Sequence, residues 1–312
     1  MHPTLANDAL SRALDNPAYR SRRIGLPFLA YCLGLGKPAW ILQIYALLNF
    51  AFWLFLLTVI GRFVGYSNFR NLLLGIALLW TTGTLASVSR ALTDFPATVL
   101  SIMPLFYNFN WFVSAIRLGT AGLFKETSIL SFASIPWREQ LQNRDIKRIA
   151  ISLAIIFLPI TFWISNVFLF QPDGTAGGSD NFYFPLVGIA SKLFSAITAL
   201  SGGIENISFN RFGYLLFEFL CPMSLVFQGI YLAVKPRINS QAWRFGIGFV
   251  FLLSILGKGV WEEQFAYSRI LLPLTFAFNL LIHQYESGTK YAICYVIGNA
   301  GMCGLALYLA ML

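Results

Sequence analysis

Charge is scarce in this chain. Asp, Glu, Lys and Arg make up 11% of 312 residues, against about 25% in a soluble domain. Apolar types make up 57% and aromatics 16%. That balance excludes an ordinary water-soluble fold and leaves a polytopic helical membrane protein. Histidine is nearly missing, with His2 and His283 alone. The four cysteines, Cys32, Cys221, Cys294 and Cys303, all lie inside apolar segments. Their spacing fits no metal site, so they read as small buried hydrophobes and zinc chemistry is set aside. No metal ligands are assigned. Residues 1–19 are polar without an apolar core, so they do not read as a cleavable signal. There is no internal repeat, low-complexity tract or heptad run.

Acidic residues are outnumbered 13 to 22, for a net charge of +9. The basic residues gather in short segments between apolar runs. That is the pattern of cytoplasmic loops, so no nucleic-acid partner is expected. Residues 38–61, 71–89, 95–116 and 149–170 read as spans, the third softly broken by Pro104 and "YNFN". Residues 118–135 are apolar but carry Lys125 and Glu126, and they either re-enter or share a crossing with their predecessor. Residues 185–200 read as an interfacial or partly inserted helix around Lys192. Further apolar segments cover 213–234, 245–256, 270–284 and 291–312. The expected fold is all-α, with about eight or nine hydrophobic helices plus short interfacial or re-entrant ones. Residues 1–23 form a polar extracytoplasmic segment and 24–312 a single transmembrane domain. "QPDGTAGGSD", at 171–180, is a flexible outer loop.

Placing Arg62/Arg70, the basic loop 136–148 and Lys235/Arg237/Arg244 inside leaves Asp94, Glu262 and Glu263 outside. It also leaves "NPAYRSRRIGLPFLAYCLGLG" outside, where Arg20, Arg22 and Arg23 precede an apolar run too short to span. Arginines there need a compensating carboxylate or anion, because guanidinium groups make paired bonds to both. They read either as the wall of an anion site at the outer membrane face or as a clamp on lipid phosphates. Asp94 is open to an ion pair with Arg90 and a capping role, or to a site role. Lys125 and Glu126 would be costly to bury alone. They are open to an ion pair that locks the fold or to a polar cavity. Arg269 either snorkels or reaches a phosphate, and Glu218 reads as an internally bonded carboxylate.

Four stretches in order, "NPAYRSRRIGLPFLAYCLGLG", "SRALTDFPATVL", "AGLFKETSIL" and "EEQFAYSRILLPLTFAFNLLI", resemble bacterial integral membrane proteins of the GT-C glycosyltransferase class tied to cell-surface glycopolymers. The resemblance covers roughly residues 10–285. It implies a polyprenyl-phosphate sugar donor, a glycan or lipid acceptor and a site at the extracytoplasmic face of the bacterial cytoplasmic membrane. Inverting transfer needs a carboxylate base for the acceptor hydroxyl and cations, either Arg/Lys or a divalent metal, for the departing phosphate. The resemblance assigns Asp94, Glu126 and Asp15 as site carboxylates. It gives Arg20, Arg22, Arg23 and Arg269 to phosphate, and Tyr19, Lys125 and Glu262 to substrate. The chain starts where the far end of the family's first loop falls. The Asp-bearing motif of that loop is reduced to "LANDALSRALDN". The second expectation, from a different class, is a non-catalytic subunit or a transporter for a glycolipid or surface polymer.

Overall fold

The computed structural model describes residues 21–65, 67–107, 110–135, 145–170, 181–201 and 209–310. Asp15, Tyr19, Arg20, the Gly-rich segment 171–180 and most of the basic loop lie outside them. The described residues are helical throughout, with no strand among them. A lone bridge between Phe182 and Leu256 is the nearest approach to one. The protein is an all-α polytopic membrane protein. Its chain divides into two compact units, residues 1–56 with 87–179, and residues 57–86 with 180–312.

The first unit contains α1 (Gly25–Leu33), most of α2 (Pro38–Phe63), α5 (Asp94–Phe106), α6 (Trp111–Phe124), a 3-10 helix (Glu126–Ser134) and α7 (Ile146–Phe170). α2 and α7 are long and apolar enough to cross a bilayer. Residues 95–116, expected as one span, are instead two helices. Asn110 sets the division: its side chain accepts the Val113 N–H at 2.9 Å and caps a fresh helix start. An ion pair between Lys125 and Asp94 ties the end of α6 to the start of α5. The two are thus an antiparallel hairpin. The 3-10 helix then folds back along α6, so that Ile135 packs with Ala115, Leu118 and Ile156. The re-entrant expectation for residues 118–135 takes this form.

The second unit contains the bent pair α3 (Phe69–Leu79) and α4 (Thr82–Ser89, to residue 86), then α8 (Val187–Ser201), α9 (Phe209–Val234) and α10 (Gln241–Ile255). Two short helices follow, α11 (Lys258–Glu262) and α12 (Ala266–Ile270), and then α13 (Leu272–Tyr285), α14 (Gly288–Gly298) and α15 (Ala300–Ala310). α9 is the third helix of spanning length. The expected span at 71–89 is broken at Trp80–Thr81, with a 47° bend. The expected span at 291–312 is interrupted at Asn299.

α9 and α15 approach through glycine. A Cβ at Gly304 would lie 2.8 Å from the Phe217 Cα, and one at Gly301 would lie 2.9 Å from the Cys221 Cα. Backbone cannot retreat as a flexible side chain can. Gly304→Val should therefore destabilise the protein by about 1–3 kcal/mol, the usual overpacking cost. Ala306→Val, on the exposed face of the same helix, should be near neutral. Thermal unfolding in detergent compares the two.

The far end of α13 is closed by Arg70. Its Nη2 donates to the Ile282 carbonyl at 3.2 Å and also to the His283 and Glu286 carbonyls. A cation there meets the negative end of the helix. In the linker that follows, Glu286 accepts from Lys235 Nζ at 2.7 Å and Tyr231 OH at 2.8 Å. The Lys235 hydrogen bond, more than any other influence, holds the Glu286 carboxyl below its usual range. A carboxyl depressed in the folded state stabilises above its unfolded value and loses that contribution as pH falls through the folded one. The melting-temperature gap between wild type and Glu286→Gln should be constant above about pH 5 and narrow through the acid range below it.

Candidate functional site

The first unit brings Arg23, Asp94, Lys125 and Glu126 together from three separate stretches of chain, with Arg22 beside Arg23 in sequence. Arg22 and Arg23 stand just ahead of α1. Asp94 opens α5 as its first residue, after Thr93. Lys125 and Glu126 mark the junction between α6 and the 3-10 helix. Their helices are pinned beneath by Leu26, Ala97 and Phe124, with Tyr45, Leu48 and Phe52 of α2 packed against them. The fit between α1 and α6 is close, because a Cβ at Gly25 would meet the Phe124 ring at 2.3 Å.

Two ion pairs organise the cluster. Lys125 Nζ donates to Asp94 Oδ1, and both side chains are almost fully buried, 4% and 3% exposed. Arg23 Nε donates to Glu126 Oε2 at 3.3 Å and its Nη2 to Oε1 at 3.4 Å, a two-pronged contact. This second pair is more open, with Glu126 25% exposed. Lys125 and Glu126 are adjacent, yet each takes its partner from elsewhere. The extended backbone at Lys125 (φ −156°, ψ 122°) ends the helix there, and the two side chains leave in different directions. Tyr45 lies within electrostatic reach of both Asp94 and Arg23.

Arg22 lies over the Phe168 ring at 5.3 Å. Trp163 Nε1 donates to the Ser21 carbonyl at 2.8 Å. Both contacts fix the approach to α1 against the C-terminal half of α7. Phe168 follows Arg148 by 20 residues on that helix, about 30 Å along its axis. That matches the hydrocarbon thickness of a bilayer.

The second unit holds Arg269 and Glu262. Arg269 is 9% exposed and donates from Nη2 to Glu263 Oε1 at 2.9 Å and from Nε to the Phe265 carbonyl at 3.2 Å. Glu262, one residue earlier, pairs instead with Lys258 on the open face of α11. Glu262 is the last residue of α11 and Glu263 its extended C-cap (φ −69°, ψ 124°), so the two carboxylates leave the chain in different directions. The same unit holds an ion pair the sequence reading did not assemble, between Lys192 of α8 and Glu218 of α9. Tyr267 stands beside it, with Lys192 Nζ 5.6 Å from its ring and Trp261 stacked on that ring at 5.0 Å. A charged residue in each of two apolar helices was the available signal, and nothing in the sequence joined the two.

Among the described residues no three His, Cys, Asp or Glu side chains gather as a metal-ligand set. Asp94 and Glu126 are each engaged by a cationic side chain, and a divalent ion would have to displace Lys125 or Arg23 to use them. Comparison with protein-family models, with curated proteins and with solved structures returns no match for this chain.

Proposed function

We propose that the first unit holds the phosphate of a polyprenyl-phosphate-linked sugar and transfers the sugar to a surface glycan or lipid acceptor, in the manner of a GT-C-like enzyme. The observation that carries this reading is the convergence of Arg23, Asp94, Lys125 and Glu126, with Arg22 held against Phe168 at the end of α7 opposite Arg148. With the basic loop held in the cytoplasm, that end belongs to the extracytoplasmic face of a bacterial cytoplasmic membrane. In the second unit Arg70, Lys235 and Arg237 gather at the Tyr285–Glu286 end of α13, as cytoplasmic residues would.

The geometry divides the labour between the two carboxylates. Glu126 is the one an acceptor hydroxyl can reach, and it serves as general base. Asp94 is sealed against Lys125 and positions it, and with it the Glu126 backbone. When phosphate enters, Arg23 exchanges part of its contact with Glu126 for the anion, and Arg22 supplies the second guanidinium. The base is thereby released as the donor binds. The carboxylate takes the acceptor proton, the acceptor oxygen bonds to the anomeric carbon, and the sugar–phosphate bond breaks onto the guanidinium-bound phosphate.

The second reading, a non-catalytic subunit or transporter for a glycolipid, is favoured by one observation: both carboxylates are already held by cations. Incubating the purified protein with labelled polyprenyl-phosphate sugars separates the two. The enzyme reading expects transfer that falls about 100-fold or more in Glu126→Gln with donor affinity kept, and weakened donor binding in Arg22→Ala. Donor binding without transfer, unchanged in Glu126→Gln, selects the second reading. No binding to any donor ends both.

A further inference from the structure

The second unit carries a cationic patch where the spanning helix α9 ends and α14 begins. It depends on neither the charged cluster of the first unit nor the reaction proposed there. Lys235 and Arg237 are exposed in the linker that follows α9, and Lys290 is exposed in the first turn of α14. Glu286 gathers them: it accepts from Lys235 Nζ at 2.7 Å and has Lys290 within electrostatic reach. Arg237 lies over the ring of the adjacent Tyr285 at 4.7 Å. Three cations against one carboxylate leave the patch positive. The start of α14 adds to this, because a helix N-terminus is itself positive and its first turn holds no acidic residue.

Beside the cations, two packed helices turn apolar side chains outward. Ile230 and Val234 are exposed one turn apart on α9, and Ile293 and Ile297 one turn apart on α14. Lys290 shares a face with Ile293 and Ile297, at a spacing of three and then four residues. Charged heads therefore stand at one end of apolar columns, the arrangement of a phospholipid read in reverse.

We infer that this patch binds an anionic phospholipid. Arg237, Lys235 and Lys290 hold its phosphate, and its acyl chains lie along α9 and α14. Guanidinium makes paired bonds to phosphate oxygens, and the two ammonium groups act as point charges beside it. A zwitterionic lipid brings its own ammonium group into an already positive patch and is disfavoured. A soluble phosphate leaves the apolar columns unused. Each Lys or Arg near an anionic lipid surface strengthens binding about fivefold.

The test uses the full chain in detergent, melted by tryptophan fluorescence while phosphatidylglycerol or phosphatidylcholine is added. The expected result is a saturating rise in melting temperature of about 5 °C with phosphatidylglycerol alone. Arg237→Gln/Lys290→Gln should move half-saturation about 20-fold or more to higher lipid. Arg148→Gln/Lys258→Gln, which removes the same charge from exposed positions elsewhere, should leave it within about twofold. Photoactivatable phosphatidylglycerol should label peptides of α9 or α14 in wild type, with unlabelled phosphatidylglycerol competing and phosphatidylcholine not. That readout stands even if a variant does not fold. Equal effects of the two lipids, equal losses in the two double variants, or label confined to other helices overturns the proposal. An equal rise with glycerol phosphate at the same concentration does so too, and leaves a site for a soluble anion.

Discussion

Asp94→Asn should be the most damaging single substitution in the first unit. It removes the carboxylate to which Lys125 donates, with both side chains at 4% exposure or less. Taking away one member of a buried pair costs about 3–5 kcal/mol, because the remaining charge keeps its desolvation cost without its compensation. The melting temperature should fall on the order of 10 °C. Asp94→Asn/Lys125→Met should recover most of that loss, since an apolar replacement of the whole pair is near neutral. The double variant also separates structure from chemistry. If Asp94 acts only by holding Lys125, the recovered protein keeps part of the sugar transfer proposed above. If transfer stays abolished while folding returns, the carboxylate itself takes part. A double variant no more stable than Asp94→Asn would mean that the two residues are not energetically coupled.

In the second unit, Lys192→Met should be worse than Glu218→Leu, although each breaks the same ion pair. Glu218 is 7% exposed and its Oε1 has no hydrogen-bond donor, so Lys192 is its compensation. Lys192, once alone, still faces the Tyr267 ring, which offers a cation part of what it lost. Removing the lysine should cost about 3–5 kcal/mol, and removing the glutamate about 1–2 kcal/mol less. Equal losses in chemical or thermal unfolding would show that the aromatic face contributes nothing.

The membrane class and most helices were legible from the scarcity of charge and the long apolar runs. Residues 38–61, 149–170 and 213–234 read as spans and are helices of spanning length. The interruptions were harder to see. The Thr81–Thr82–Gly83 stretch looks ordinary in a membrane helix, where neighbouring groups re-satisfy freed backbone. Asn110 stands in "YNFN", which read only as a soft break within one span, because the apolar run on either side outweighed it.

Charged residues in apolar surroundings identified Arg22, Arg23, Asp94, Lys125 and Glu126 individually. Which would pair was hidden, because the partners stand 31 and 103 positions apart. The natural local choices were Arg90 with Asp94 and Lys125 with Glu126. The fold instead joined Asp94 to Lys125 and Glu126 to Arg23. Glu262 and Glu263 were indistinguishable by composition; the end of α11 between them leaves Glu262 on the helix with Lys258 and Glu263 with Arg269.

The α5–α6 hairpin also bears on how the protein is made. Helices of 13 and 14 residues extend only about 20 Å, well short of the roughly 30 Å hydrocarbon slab. A nascent hairpin of this length offers the translocon no ordinary stop-transfer segment. The partner that covers α6, α7, is synthesised later and meets it at Gly119, where an added Cβ would lie 2.6 Å from the Ile155 carbonyl oxygen. The hairpin should therefore reach its final depth only once α7 has emerged, and ribosome-bound chains that expose α6 but still hold α7 in the exit tunnel should carry it at the bilayer surface.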